Sequence, residues 1–228
     1  RGGENQIFKA IQMDVTDLDS VNSGTQQALT EMKGLDILIC NSGFAQTGTL
    51  NDLSHEDIRR MMDVNFMGHV NVTKALLPHF IEQKHGNIAL ASSMLGFFSM
   101  YGWTGYSASK FAVWGMAQAL RQEMLLHNVD VSVHFFPSTD TPGFELENKD
   151  KDPIVWTMET ESSLSKIFQP KDVAAKTLEA IRKKKFENVI GWTSRLIKTV
   201  DRHWSGLFRT LVDGDLKSAV KKKTSKKV

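Results

Sequence analysis

Asp36-Ile37-Leu38-Ile39-Cys40-Asn41-Ser42-Gly43 is the stretch whose reading decides the fold. Asp36 to Cys40 is a short run apolar on both faces, with none of the polar alternation of a half-solvated strand. It predicts a parallel strand buried on both sides. Asn41-Ser42-Gly43 then breaks the run with turn-forming residues, and Gly43 permits close backbone approach at the strand's carboxyl end. On the N-terminal side, Ile7 to Met13 reads as a first strand, followed by a helix capped by Thr16 or Asp17 that runs to Met32 and stops at Gly34. On the C-terminal side, Ser54-His55-Glu56-Asp57 opens a helix with a cap serine and an acidic first turn. Its pattern continues toward Lys84, with Pro78 marking a bend or an end.

The alternation continues along the chain. Asn87 to Ala91 is a strand, Thr104 to His127 a strong helix, and Val129 to Phe135 a strand with alternating apolar positions. Residues 136 to 160 read as a long polar loop, a candidate lid. Pro170 opens a helix to Lys184, Phe186 to Ile190 is a last strand, and an amphipathic segment with a lysine tail closes the chain. Strands alternating with helices predict an α/β fold, a doubly wound parallel sheet covered on both faces. The division expected is a catalytic domain over 1–190 and a C-terminal amphipathic segment with a basic tail over 191–228. There is no internal repeat.

Composition narrows the function. The 228 residues are 41% hydrophobic and 24% charged, enough for one domain with a core and outside the ranges of disordered, collagenous or coiled-coil chains. No run approaches the ~18 apolar residues of a membrane-spanning helix. Cys40 is the single cysteine and the seven histidines show no ligand spacing, so no disulfide framework and no metal site are expected, in keeping with a reducing compartment. The net charge is +2, yet residues 214 to 228 alone carry +5. The basicity is a property of the tail, and no nucleic-acid-binding face is expected.

Tyr106-Ser107-Ala108-Ser109-Lys110 places a phenol and an ammonium one turn apart on the strong helix. A nearby ammonium favours the phenolate, which would bring the tyrosine closer to the working range of a proton-transfer catalyst. Alone, such a pair is an ordinary surface feature. It gains meaning from Ser92-Ser93, which directly follow the strand Asn87 to Ala91, Ser93 lying thirteen residues before Tyr106, and from Asn41-Ser42-Gly43 and Asp14-Val15, which each follow a predicted strand. Parallel sheets bind ligands at these carboxyl ends. Asn65, polar among apolar neighbours inside a helix, needs a stated partner.

Taken together, these residues resemble the short-chain dehydrogenase/reductase family, in its order and at its spacings. The resemblance implies a Rossmann-like sheet and four catalytic roles. Tyr106 would be the general acid toward a carbonyl oxygen, Lys110 would lower its pKa and bond the nicotinamide ribose, Ser93 would hold the substrate oxygen, and Asn65 would anchor a water in a proton relay. It also implies that Asp14 and Val15 meet the adenine end of the cofactor, that Asn41 and Gly43 line it, and that Thr141 faces the nicotinamide amide. Phe136 and Pro137 depart from the family's pattern. Within the family, residues 138–148, 106–112 and 206–210 resemble the reductases of long-chain keto sphingoid bases. That implies NADPH-dependent reduction of a keto lipid in sphingolipid biosynthesis, at the cytosolic face of the endoplasmic reticulum membrane.

The family's glycine-rich phosphate loop is not among the sixteen glycines, and its first two strands are missing from this chain. Without that loop no helix N-terminus receives the pyrophosphate, and these 228 residues by themselves are expected to bind dinucleotide weakly or not at all. In the family's strand order a sheet that included Ile7 to Met13 would have a hole. The opening Arg1-Gly2-Gly3-Glu4-Asn5 reads as the interior of a longer polypeptide, with roughly fifty further residues expected ahead of it. Two readings of the tail stay open, a solvated terminus and a peripheral contact with an anionic membrane. Met94, Leu95, Phe97, Phe98, Met100 and Trp103 could line an acyl-chain pocket or serve as core or dimer contacts. A homo-oligomer is compatible with the sequence but not specified by it. The alternatives to a sphingoid-base reductase are a reductase of another lipophilic ketone, such as a steroid, and a truncated non-catalytic interaction module.

Overall fold

The computed structural model describes residues 6–149, 151–161 and 166–225. Among these, four parallel strands form one sheet in the order β1 (Ile37–Cys40), β2 (Asn87–Ser93), β3 (Asp130–Phe136) and β4 (Glu187–Val189). Their register aligns Cys40 with Leu90 and Ser93 with Phe136, so the carboxyl ends of the strands lie along one edge. Ile88, Leu90, Val133 and Phe135 are fully buried at the centre of the core.

The helices follow the predicted signals closely. In α1 (Leu18–Met32), Asp17 caps the first turn by accepting from the Ser20 amide at 2.8 Å, and Lys33 and Gly34, both at positive φ, end it. In α2 (His55–Met62), the side chains and amides of Ser54 and Asp57 bond reciprocally at 3.0 and 3.1 Å. A single π-turn over Asp63–Met67 joins α2 to α3 (Gly68–Gln83), which runs straight through Pro78. Gly86, at φ 126°, passes where a Cβ would lie 2.7 Å from the Phe80 ring and 2.8 Å from the Asp36 carbonyl, so only glycine fits ahead of β2. Helix α4 (Thr104–Leu125) crosses the sheet behind the strand ends, and α7 (Pro170–Arg182) precedes β4.

Four expectations are corrected. Ile7 to Met13 is not a strand. A strand needs a ladder partner, and none of the described chain offers one, so Ile7 and Phe8 are exposed and the sheet runs unbroken from β1 to β4 without the expected hole. In β1 only Leu38 and Cys40 face the core, while Ile37 and Ile39 are exposed on a face that the described residues leave uncovered. Residues 136 to 160 are not a long loop. They hold two short helices, α5 (Pro142–Asn148), capped by Thr141, and α6 (Pro153–Thr160), capped by Asp152, each with proline in its first turn. The alternation in β3 does not separate core from solvent, because Ser132 and His134 are as buried as their apolar neighbours.

That last correction exposes a polar chain through the sheet. Asn188 Nδ2 donates to His134 Nδ1 at 3.0 Å, the His134 Nε2 proton is directed at Ser132 Oγ at 3.0 Å, and Ser132 donates to Asn87 Oδ1 at 3.0 Å. The pattern closes only with a neutral imidazole. Burial holds His134 at a pKa of about 4, and His69, buried beside the Ser42 carbonyl, at about 4 as well. Below the ordinary histidine pKa the unfolded chain therefore takes up protons that the folded chain refuses. The stability present above about pH 6.5 is lost as pH falls toward 4, by up to about 1.4 kcal/mol per pH unit for each histidine. Urea unfolding at pH 7 and pH 5 tests this. His134→Gln should flatten the dependence by about half, and an unchanged slope would show that His134 is not held neutral.

The chain ends in α8 (Trp192–His203) and α9 (Ser205–Ser225). Ile197 and Phe208 turn inward to join the main core, and Ala219 packs on Ile154 and Met158 of α6.

Candidate active site

The strand-end edge gathers the loop after β1, the end of β2 and the start of the segment after β3 around one cavity of about 640 Å³. Helix α4 supplies its back wall. Tyr106 and Lys110, one turn apart, both line the cavity, as do Asn41, Gly43, Ser93 and Thr141. Ser93 acts on the Tyr106 hydroxyl in the direction that favours its phenolate, and it caps the following turn, accepting from the Leu95 amide at 3.2 Å. The Lys110 ammonium donates to the Ala91 carbonyl at 3.2 Å and lies 5.7 Å from the centre of the Tyr106 ring.

Asn65 stands behind this wall, fully buried, and its partners are now identified. Its Oδ1 accepts from the Phe44 amide at 2.9 Å, and its Nδ2 donates to the Phe44 carbonyl and to Ser109 Oγ, both at 2.9 Å. One side chain thereby ties the loop after β1 to helix α4. The π-turn is the local feature that sets Asn65 at this point, and such turns occur often at functional sites. A Cβ on Gly43 would lie 3.1 Å from Asn65 Oδ1 and 3.2 Å from Lys110 Nζ, so the absence of a side chain there gives the ammonium its room.

The electrostatics reverse one expectation. Burial, aided by the charges of Glu147 and Glu159, raises the Tyr106 phenol well above its ordinary pKa, with only the Ser93 hydrogen bond acting to lower it. Burial also lowers Lys110 to about 8. The expected stabilisation of the phenolate does not win, because the ammonium is directed at the Ala91 carbonyl and the packing around the half-buried tyrosine costs the charged form part of its hydration. In this state the group is a phenol holding its proton, the form an acid requires.

Asp14 and Val15 are not brought to this cavity. The Asp14 carboxylate is exposed and accepts from the Thr16 amide and hydroxyl at 2.9 and 2.7 Å, beside a separate shallow groove that includes Arg59 and Arg60. Val15 packs against Gly68. Thr141 reaches the cavity while capping α5, its Oγ1 accepting from the Phe144 amide at 3.2 Å.

Of the six apolar residues offered as a pocket, Met94, Leu95, Phe98, Met100 and Trp103 line the cavity. Phe97 turns into the core, 5.3 Å from the Phe135 ring. Sequence reasoning missed Phe144, Glu147, Met158, Glu159, Phe208 and Val212, which complete the walls from α5, α6 and α9. Glu147 lies in the 138–148 stretch that carried the resemblance but was given no role there, and Glu159 carried no motif. The only signal was the Pro142 and Pro153 helix starts, which mark helices where a loop was read.

Comparison with known proteins follows the same line. A family model described as short chain dehydrogenase matches residues 2–152. The chain is 36% identical over 172 residues to the 3-dehydrosphinganine reductase of Danio rerio, covering 75% of this chain and 51% of that protein. It is 32% identical over 189 residues to the 3-ketodihydrosphingosine reductase of Bos taurus, with 82% and 56% covered. The chain thus spans about half the length of these curated relatives. Among solved structures, a short chain dehydrogenase from Burkholderia cenocepacia J2315 in complex with NADP superposes with a TM-score of 0.73 at 20% identity, over 89% of this chain and 77% of that one. A short-chain dehydrogenase from Streptomyces avermitilis gives 0.72 at 22%, over 92% and 80%. At that identity the likeness shows the fold, a parallel Rossmann-like sheet. With the family model covering most of its length and curated relatives above 30% identity, the chain belongs to the short-chain dehydrogenase/reductase family.

Proposed function

We propose that this chain carries the catalytic part of an NADPH-dependent reductase that converts the keto group of 3-ketodihydrosphingosine to the hydroxyl of dihydrosphingosine. The observation that carries the reading is the convergence of Ser93, Tyr106 and Lys110 on a largely apolar cavity. Its volume lies within the range of small-molecule sites. The names of the curated relatives support the substrate, and the NADP complex of a structural neighbour supports the cofactor.

The residues present fit the nicotinamide-ribose half of such a cofactor. Lys110 has a single acceptor, the Ala91 carbonyl, among its contacts in the described residues, which leaves donors for ribose hydroxyls, and Gly43 keeps the approach to it open. Asn41, Gly43, Tyr106, Lys110 and Thr141 would hold that half. When bound, the cofactor supplies the hydride for the carbonyl carbon. The protein's share is to hold the ketone oxygen between the Ser93 and Tyr106 hydroxyls and to deliver the Tyr106 proton to it as negative charge develops there. Asn65 keeps the loop after β1 seated against α4, and in the proposed reaction it anchors a water of the proton relay. The apolar walls exclude water and take the alkyl chain.

We place the protein at the cytosolic face of the endoplasmic reticulum membrane. Exposed Trp192, Trp204, Leu207 and Leu211 among the basic residues of α8 and α9 support a peripheral contact there. No helix of the described residues is long and apolar enough to cross a membrane.

The test is turnover by the full-length protein with NADPH, using 3-ketodihydrosphingosine and a steroid ketone in parallel. The sphingoid ketone is expected to be reduced with the higher kcat/KM. Turnover of the steroid alone would replace the substrate assignment, and turnover of neither would favour a non-catalytic module.

A further inference from the structure

At one end of the catalytic cavity two carboxylates share a single ammonium. Lys151, with its side chain 1% exposed, sits between α5 and α6 and bonds Glu147 Oε1 and Glu159 Oε2, each at 2.5 Å. Ser138 Oγ donates to the other oxygen of Glu159 at 2.7 Å. Both carboxylates line the cavity and are themselves 17% and 9% exposed. Within this trio two carboxylates stand against one ammonium where water is scarce, an arrangement that a further cation placed against them stabilises. Burial accordingly raises the pKa of Glu147.

The position of this group relative to the chemistry follows from the ring contacts. The Lys151 ammonium lies 4.9 Å from the centre of the Trp103 ring, and that ring lies 5.4 Å from the Tyr106 ring. The Trp103 ring therefore touches both the ammonium that bridges the carboxylates and the ring of the proposed acid. The Trp103 N–H, in the same wall and almost wholly buried, finds no acceptor among the described residues. Among the described residues, this trio therefore has one carboxylate more than it has ammonium groups, and the neighbouring indole has an unmatched donor. A ligand bearing an ammonium with a hydroxyl close by matches both.

We propose that Glu147 and Glu159, bridged by Lys151, form a subsite for the ammonium group of an amino-ketone substrate and make the enzyme select it over neutral ketones of the same chain length. The inference rests on the reductase reading above and names its specificity determinant. In a ketone with an amine on the adjacent carbon, nitrogen and carbonyl oxygen lie about 3 Å apart by ordinary bond lengths. The cation must then be met within the cavity that Tyr106, Glu147 and Glu159 line together. Lys151 keeps the pair from repelling each other and sets their spacing.

The experiment compares kcat/KM of the full-length enzyme for 3-ketodihydrosphingosine and for its N-acetylated, uncharged derivative, in the wild type and in Glu147→Gln and Glu159→Gln. Each substitution is close to isosteric and removes one carboxylate charge. The wild type is expected to favour the amine, and each variant to lose about 10- to 100-fold toward it with little change toward the neutral ketone. Equal losses toward both substrates, or no amine preference in the wild type, would overturn the subsite while leaving the reductase reading intact. Turnover of neither substrate by the wild type would overturn both. A measurement free of variants uses saturated long-chain amine and alcohol of one length as competitive inhibitors of the wild type. The amine should inhibit at about tenfold lower concentration, and equal inhibition would overturn the proposal.

Discussion

Tyr106→Phe is expected to lower kcat by about 10²- to 10⁴-fold while the protein stays folded. The substitution removes one oxygen and keeps the ring, so the contact with Trp103 at 5.4 Å survives and the domain should stay folded. The loss should fall on kcat more than on KM, because the hydroxyl acts most strongly when charge develops on the ketone oxygen. Unchanged circular dichroism with the kinetic loss confirms the role. Activity within a few-fold of wild type would remove Tyr106 as the acid. Because burial raises this phenol, reduction should show no ionisation of Tyr106 near neutral pH.

Lys110→Met should separate stability from activity. Lys110 is 5% exposed, and burial has already lowered its pKa to about 8. Its charge is held in the folded state against a desolvation cost, with one backbone acceptor to offset it. Methionine fills similar space without that cost, so unfolding free energy should be unchanged or higher. Catalysis should fall by about 10²-fold or more, since the substitution removes a buried positive charge from the cavity where the oxyanion develops. In the wild type, kcat/KM for reduction should decline as pH rises through about 8, where Lys110 loses its proton. A variant that loses stability in step with activity would show that the lysine is a structural residue. A flat profile across pH 8 would remove its charge from the mechanism.

Much of this site could be read in the sequence because its residues sit at the ends of predictable elements. Ser93 ends β2, Gly43 lies in the loop after β1, and Tyr106 and Lys110 share one face of a strong helix. Asn65 could be singled out as an anomaly, and three-dimensional structure supplied the partners it needed, Phe44 and Ser109. The strands that failed or changed did so for want of neighbours. Among the described residues, Ile7 to Met13 has strand composition and nothing to pair with, and Ile37 and Ile39 are apolar and left exposed.

The sequence by itself determined the alternation of strands and helices, the parallel sheet and the placing of the motif residues at its carboxyl edge. These depend on local periodicity, capping and turn chemistry, which act over a few residues. Only the tertiary structure decided the charge states. The ammonium one turn from Tyr106 was expected to lower its pKa, and burial raises it instead. Glu147, Lys151 and Glu159 joined into one charged group that no spacing announced. The reason is physical: the energy of a charge depends on its distance through space to other charges and on the water left around it, and neither quantity exists until the chain has packed.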